Sequence, residues 1–147
     1  MKRIEIVRQL VADLLDDHQH FQRIETLLSA QRQAILSFTP SQLESHTEQL
    51  MQHYRQIHQH AQQRIRGLQQ LSLTANHHGM SQLLQGLAPA AQQHLLKVWQ
   101  DLPVQLQRCQ QANSSNQQLL EMQHSLLTEC MPEVDPVAWL YHPDNMG

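Results

Sequence analysis

The sequence predicts an all-α fold: an elongated antiparallel helical hairpin plus a third long helix, forming a three-helix coiled-coil-like bundle, with a less regular C-terminal tail. Three observations predict it. Glycine is scarce, at four of 147 residues, while glutamine, a good helix former, occurs 26 times. Apolar residues recur three and four positions apart along three long stretches, the period of a helix that buries one face. Breaks containing proline, asparagine or glycine separate these stretches.

Composition excludes several classes of protein. The formal net charge is −3 and lysine and arginine form no cluster, which argues against a nucleic-acid partner. No apolar run approaches the ~18 residues of a membrane span. The start of the chain also lacks the apolar core of a signal peptide, so we expect a cytoplasmic protein without membrane insertion. Cys109 and Cys130 are isolated thiols and not a framework of disulfides.

The first helix is expected to run from about Arg3 to Ser37. Asp13, Asp16 and Asp17 lie off its apolar face. We expect Asp16 and Asp17 to form a solvated surface, because neighbouring helical positions point ~100° apart and do not make a catalytic pair. The predicted face runs through Ile4, Val7, Leu10, Leu14, His18, Phe21, Ile24, Leu28, Gln31, Ile35 and Phe38.

The second helix is expected to follow at once and to complete a hairpin. Pro40 ends the first helix, and Ser41 with Glu44 three residues later forms a capping box that starts the second. Because the connection is short, the two helices should be antiparallel. The predicted seam has the alternation of a coiled coil, weakened by Thr47 and Ala61. It runs through Leu43, Thr47, Leu50, Tyr54, Ile57, Ala61, Ile65, Leu68 and Leu71.

A break at residues 74–79, with Gly79 ending the turn, precedes one short amphipathic helix. Pro89 then opens the last long helix as its first residue. Pro103 removes one backbone hydrogen bond within this helix, to the carbonyl of Trp99, so a kink is expected there. The apolar residues of the short helix are Met80, Leu83, Leu84 and Leu87.

Two amides, Asn113 and Asn116, lie on the apolar face of the last helix where leucine would be expected. Buried amides cost free energy unless they are hydrogen-bonded, so we expect this pair to fix the register against a partner helix. The helix should end near Cys130, because prolines follow closely. The face runs through Leu95, Val98, Leu102, Leu106, Cys109, Ala112, Leu119, Leu120, Leu126 and Leu127.

The eleven histidines lack the spacing of a metal site. No two are three or four residues apart, and the repeat of His46, His53 and His60 at seven separates them by ~10.5 Å along a helix. We therefore expect solvent-facing histidines and no bound metal. No nucleophilic triad or phosphate-binding loop is evident either, so neither a cofactor nor enzymatic activity is expected.

Residues 1–130 are predicted to form the helical bundle domain, and residues 131–147 a C-terminal tail. The tail brings Trp139, Leu140 and Tyr141 together among prolines. Such an aromatic cluster can bind a partner by ordering on contact. Alternatively, these side chains fold back and cover the end of the bundle.

Three motifs follow one another in the last long helix: Leu96-Lys-Val-Trp99-Gln-Asp-Leu102, then Cys109-Gln-Gln-Ala-Asn113-Ser-Ser-Asn116, then Leu119-Leu120. In this order they resemble the FlgN family of bacterial flagellar export chaperones. The stretches Ile24–Leu36 and Leu43–Leu50 look like the first two helices of that family, and Tyr141–Gly147 echoes its tyrosine-to-glycine ending. The resemblance covers nearly the whole chain.

The resemblance implies a cytoplasmic chaperone for hook-associated proteins, the subunits of the hook–filament junction. Such a chaperone holds a helical terminal segment of its client, prevents premature assembly and delivers the client to the cytoplasmic domain of the export gate. We expect the last long helix and the tail to contact the client, although Trp99 and the leucines could instead only close the core. The expected anchors are Trp99, Leu119, Leu120, Leu126, Leu127, Trp139, Leu140 and Tyr141.

Two other functions are compatible with the pattern. A coiled-coil scaffold could self-associate into a homodimer through the seam of the second helix, and it would not need a client. A di-metal bundle is the enzymatic alternative, because Asp17 with His20 and Glu121 with His124 echo the carboxylate–histidine motif of di-iron proteins.

Overall fold

The computed structural model describes residues 2–130. Met1 and residues 131–147, which include Trp139, Leu140 and Tyr141, lie outside the described residues. The described chain forms four helices and no strand, which confirms the predicted all-α bundle. They are α1 (Arg3–Leu36), α2 (Pro40–Gln70), α3 (His77–Gln85) and α4 (Pro89–Cys130). None of these helices is long and apolar enough to cross a membrane.

The chain divides into two compact units, and the three long helices contribute to both. The first unit consists of Met1–Arg23 and His53–Gln107, and the second of Ile24–Gln52 and Arg108–Gly147. Within each unit α1 and α2 are antiparallel, because contact positions fall along α2 as they rise along α1. Asp17 contacts His60 and His20 contacts His53 in the first unit. In the second unit Gln31 contacts Thr47, and Ile35 clusters with Leu43. The predicted hairpin is therefore present in both.

The short amphipathic helix that the sequence predicts is present as α3, and its apolar face lies in the core of the first unit. Met80 and Leu84 are fully buried. Asn76 caps the helix by accepting a hydrogen bond from the backbone N–H of Gly79 at 2.8 Å. Gly79 therefore lies in the first turn of α3, and the expectation that it ends the preceding turn is wrong.

The turns that follow α1 and α2 have the same hydrogen-bonding pattern. Thr39 N donates to Ala34 O at 3.0 Å, and Leu73 N donates to Leu68 O at 2.9 Å. This six-to-one bond is that of a Schellman motif, which requires a left-handed residue just past the helix. Phe38 occupies that position after α1 with φ 50°, and Ser72 occupies it after α2 with φ 60°.

The α1–α2 turn differs from the prediction in two respects. α2 begins at Pro40, so proline occupies the first helical position and Ser41 already lies inside the helix. The predicted capping box, which needs Ser41 before the helix, is therefore wrong. Phe38, expected on the apolar face of α1, is instead half exposed in the turn, because α1 ends at Leu36.

The buried faces include polar residues that apolar periodicity alone does not reveal. On α1, Asp13 and Asp17 are buried at 4% and 1% exposure, so the prediction of a solvated surface is correct for Asp16 but wrong for Asp17. His60 is buried as well, contrary to the expected solvent-facing histidines. Asp17 is compatible with burial because His60 Nδ1 and Arg64 Nη2 both donate to its carboxylate, at 2.6 and 2.7 Å.

The burial of three further side chains differs from the predicted apolar faces. Gln105 is buried and Leu106 is 44% exposed, because Gln105 continues the three–four alternation between Leu102 and Cys109. Ile65, predicted in the seam of α2, is likewise exposed.

The helix α4 continues through Pro103 from Pro89 to Cys130.

Candidate functional site

The predicted client-binding leucines lie on the C-terminal third of α4, in the second unit. Leu119 and Leu120 are partly buried against a core cluster of Ala34, Ile35 and Leu43. They therefore join α4 to the α1–α2 corner and also retain some exposed surface.

A hydrogen-bonded network of amides and a hydroxyl fixes this part of α4 against the hairpin. Asn116 is 2% exposed, and its Nδ2 donates to Leu28 O at 2.9 Å and to Gln31 Oε1 at 3.0 Å. Gln31 Nε2 donates in turn to Thr47 Oγ1 at 3.1 Å, and Thr47 Oγ1 donates to Leu43 O at 2.8 Å. One network therefore connects all three long helices.

The two asparagines of the motif have different environments. Asn113, expected on the buried face, is exposed, so that expectation is wrong for this residue. Only Asn116 faces α1, because it lies four positions after Ala112 and seven after the buried Cys109, and so continues the three–four alternation that Asn113 breaks. Its two bonds to α1 are the contacts that a register-fixing residue needs.

One turn beyond Leu119, α4 presents apolar side chains to solvent. Met122 is 61% exposed and Leu126 is 59% exposed. They lie four residues apart on one helical face, beside a shallow groove of about 560 Å³ that Gln118, Glu121 and Ser125 complete. Below it, Gln123 Nε2 donates to Ile35 O at 2.9 Å and holds the helix in place. We call Met122, Leu126 and this groove the α4 patch.

Contacts between α1 and α4 in the second unit have a regular register. The hydrogen bonds join residues 83 to 88 positions apart, from Arg108 with Glu25 to Gln123 with Ile35. Because positions rise together along both helices, α1 and α4 are parallel there.

The second unit is acidic. Its described residues include two arginines and five glutamates, a formal charge of −3. Both arginines are engaged: Arg32 Nη1 donates to Ser115 Oγ at 3.0 Å, and Arg108 Nε donates to Glu25 Oε1 at 2.8 Å. The first unit, with eight lysines and arginines and five carboxylates, has a formal charge of +3.

The structure does not bring all of the predicted anchors together. Trp99 belongs to the first unit and is 8% exposed. Its ring stacks on His77 at 4.8 Å and lies 5.1 Å from the Arg64 guanidinium, and its Nε1 donates to His77 O at 3.2 Å. Trp99 thus occupies a core position, as the alternative interpretation had it. Leu126 is exposed and Leu127 is partly buried.

The prediction missed Met122, although a simple signal was available. Met122 lies three residues after Leu119 and four before Leu126, so it continues the apolar face that these two leucines share. The buried carboxylates of α1 carried no such signal, because their partners His60 and Arg64 come from a different helix.

Two observations bear on the reactivity of the described residues. Burial raises the pKa of the Cys109 thiol to about 11, and the Glu25 carboxylate adds to this effect, so the thiol is protonated at neutral pH and a poor nucleophile. Within residues 2–130, no group of three or more histidine, cysteine, aspartate or glutamate side chains could hold a metal ion.

Comparison with known proteins gives a match to a family model. The model of the family described as "FlgN protein" matches residues 1–131. No curated protein and no solved structure matches the chain. The family match spans all three long helices, including the motifs around Trp99, Asn116 and Leu119. The chain therefore belongs to the FlgN family, whose members are chaperones of flagellar type III export.

Proposed function

We propose that this protein acts in the cytoplasm as the export chaperone of hook-associated flagellar proteins, and that it binds a helical terminal segment of its client on the α4 patch. Covering that segment would prevent premature assembly, and the complex would then be delivered to the cytoplasmic domain of the export gate. The observation that carries the proposal is the pair of exposed residues Met122 and Leu126 on a helix that Asn116 joins to α1 by two hydrogen bonds.

The geometry of the α4 patch suits a helical client. Amphipathic helices dock their apolar face into grooves lined by large flexible side chains, and methionine and leucine adapt well to such faces. Leu119, Leu120 and Leu127 can extend the contact through their partly exposed surfaces. Because the helix is already ordered, binding costs little conformational entropy in the chaperone.

The tail is the second part of the proposed client site. Trp139, Leu140 and Tyr141 follow the α4 patch closely in sequence, and we propose that they contact the same client. Replacing Trp139 and Tyr141 by alanine should weaken client binding without lowering the melting temperature of the bundle.

The first experiment is co-purification with hook-associated proteins encoded in the same genome. The full-length chain is compared with the double variant Met122→Ala/Leu126→Ala. The expected result is a client complex for the full chain and binding weaker by about tenfold or more for the variant, because large side chains carry most interface energy. The control, Val104→Ala/Leu106→Ala, truncates two other exposed apolar residues of α4, which lie in the first unit, and should leave binding unchanged.

Each outcome has a distinct meaning. Binding that is lost in the α4-patch variant and kept in the control supports the proposed site. Equal loss in both variants, with unchanged helix content, would place the client elsewhere on α4. Binding that survives these changes but is lost when residues 131–147 are removed would assign the site to the tail. A stable homodimer that captures no hook-associated protein would favour the scaffold alternative.

A further inference from the structure

The α1–α2 corner presents an unusual exposed aromatic residue. Phe38 is 51% exposed and has a φ of 50°. Left-handed backbone is unfavourable for a residue that carries a side chain, and bulky side chains are rare there. Glycine is the usual residue at this position of a Schellman motif. The chain thus keeps a large apolar side chain exposed where glycine would be more stable.

The register of the second unit brings this residue to the same level along α4 as the α4 patch. Ile35, which lies three residues before Phe38, accepts a hydrogen bond from Gln123. The same separation of 83 to 88 positions, counted from Phe38, leads to residues 121–126 of α4. Leu36, 49% exposed, precedes it in the same corner.

We propose that Phe38 is a partner-binding residue that extends the α4 patch, and that the partner segment is an amphipathic helix with lysine or arginine flanking its apolar face. The charge of the second unit selects this partner. Its described residues carry a charge of −3, and Glu121 lines the groove itself. Both arginines of the unit are engaged in hydrogen bonds within it. Carboxylates at the rim favour basic partners and repel acidic ones.

This inference rests on the proposed function for its biological setting, but its physical test does not. The probe is a synthetic amphipathic helical peptide with leucine on one face and lysine on its flanks, titrated into the full-length chain. A matched peptide carries glutamate in place of lysine. Binding is measured by calorimetry, and stability by the urea midpoint.

The chain offers a matched control for the backbone effect. Ser72 has the same left-handed position in the same motif, but it lies in the first unit. Phe38→Gly and Ser72→Gly should therefore both raise the urea midpoint, because glycine relieves the backbone cost. Only Phe38→Gly should weaken binding of the lysine peptide, by roughly tenfold, as expected for loss of an aromatic anchor. Phe38→Asn, which also tolerates this backbone conformation, should weaken binding similarly.

The remaining outcomes are equally informative. If the lysine peptide binds Phe38→Gly as tightly as it binds Ser72→Gly, or does not bind the full chain, the inference is wrong. If the glutamate peptide binds as well as the lysine peptide, the charge argument fails. Capture of hook-associated clients by the unmodified chain tests the proposed function separately. That function stands if clients are captured even though the Phe38 substitution has no effect.

Discussion

At the residue scale, the buried carboxylate of Asp17 needs partners that compensate its negative charge. It accepts hydrogen bonds from His60 and Arg64 and is 1% exposed. Asp17→Asn should lower the free energy of unfolding by about 3 kcal/mol, because the change leaves the Arg64 cation partly buried without its counter-charge. Urea denaturation measures this.

Asp16→Asn is the matched control for that change. Asp16 is exposed and contacts His20 at 3.1 Å, an arrangement that contributes little in water. Its loss should change stability by less than about 0.5 kcal/mol. Equal effects of the two substitutions would contradict the assignment of Asp17 as a buried ion-pair partner.

The two asparagines of the family motif make a second matched pair. Asn116→Ala should cost about 2 kcal/mol, since it leaves the carbonyl of Leu28 and the amide oxygen of Gln31 without this donor. Asn113→Ala should be nearly neutral, because the side chain is exposed. Thermal and urea unfolding of both variants test this difference.

The histidine pair of the first unit predicts a dependence on pH. His20 Nδ1 and His53 Nδ1 are 2.8 Å apart, so one ring must donate and the other accept. Burial lowers the pKa of His53, and the charges of His20 and Arg23 lower it further. Unfolding then takes up protons, so stability should fall as the pH drops below the ordinary value of 6.5.

The measurement compares urea midpoints at about pH 7.5 and about pH 5.5 for the unmodified chain and for His53→Gln. The variant should lose less stability on acidification, because its side chain does not titrate. The nearby Asp16 carboxylate, which contacts His20 at 3.1 Å, is present in both proteins. Identical pH dependence would show that His53 does not contribute.

At the scale of the element, the first turn of α3 leaves no space for a side chain at Gly79. A Cβ atom there would lie 1.7 Å from Thr74 O, a backbone atom that a rotamer change cannot move. Gly79→Ala should therefore cost about 3 kcal/mol and disturb α3. Trp99 reports on α3 directly, since its Nε1 donates to His77 O, so its fluorescence should change.

Gly86→Ala serves as the control at the other end of the same helix. A Cβ atom at Gly86 would lie 3.4 Å from Leu83 O, an ordinary contact. This variant should keep both its stability and its Trp99 fluorescence. A mild effect at Gly79 would mean that the preceding turn can move aside.

How much was predictable differs between the elements. Proline and glycine punctuation together with apolar periodicity predicted α1, α2, α3 and α4 and their order, because those signals are local. The buried polar residues were not predictable in the same way. Asp17 is stable in the core only because His60, 43 positions away, faces it, and single-helix periodicity contains no information on that pairing.

The candidate site shows the same division. Leu126 was predicted from spacing and is exposed, whereas Trp99, a residue type common at interfaces, proved to be a core residue once α3 packed over it. Phe38 was assigned to the face of α1, because the sequence does not reveal that the helix stops two residues earlier with a left-handed turn.

At the scale of the whole molecule, the two units predict separable stability. The hydrogen bonds of Asp17 are internal to the first unit and those of Asn116 to the second. Under native conditions, Asp17→Asn should accelerate amide hydrogen exchange chiefly in residues 53–70, and Asn116→Ala chiefly in residues 24–36 and 108–120. Mass spectrometry of proteolytic fragments measures both. Acceleration spread evenly over the chain by either change would mean that it opens as one cooperative unit.

The buried carboxylate of Asp17 also limits how the helices can slide. Leucine seams repeat about every seven residues, so a displacement of α2 by one heptad would still pair apolar side chains with apolar side chains. Such a displacement would set Asp17 against Gly67 and Leu71 in one direction, or against His53 and Ile57 in the other, and would separate it from Arg64. Replacing Asp17, His60 and Arg64 by leucines would raise the melting temperature. It would also remove the preference of α1 and α2 for a single register.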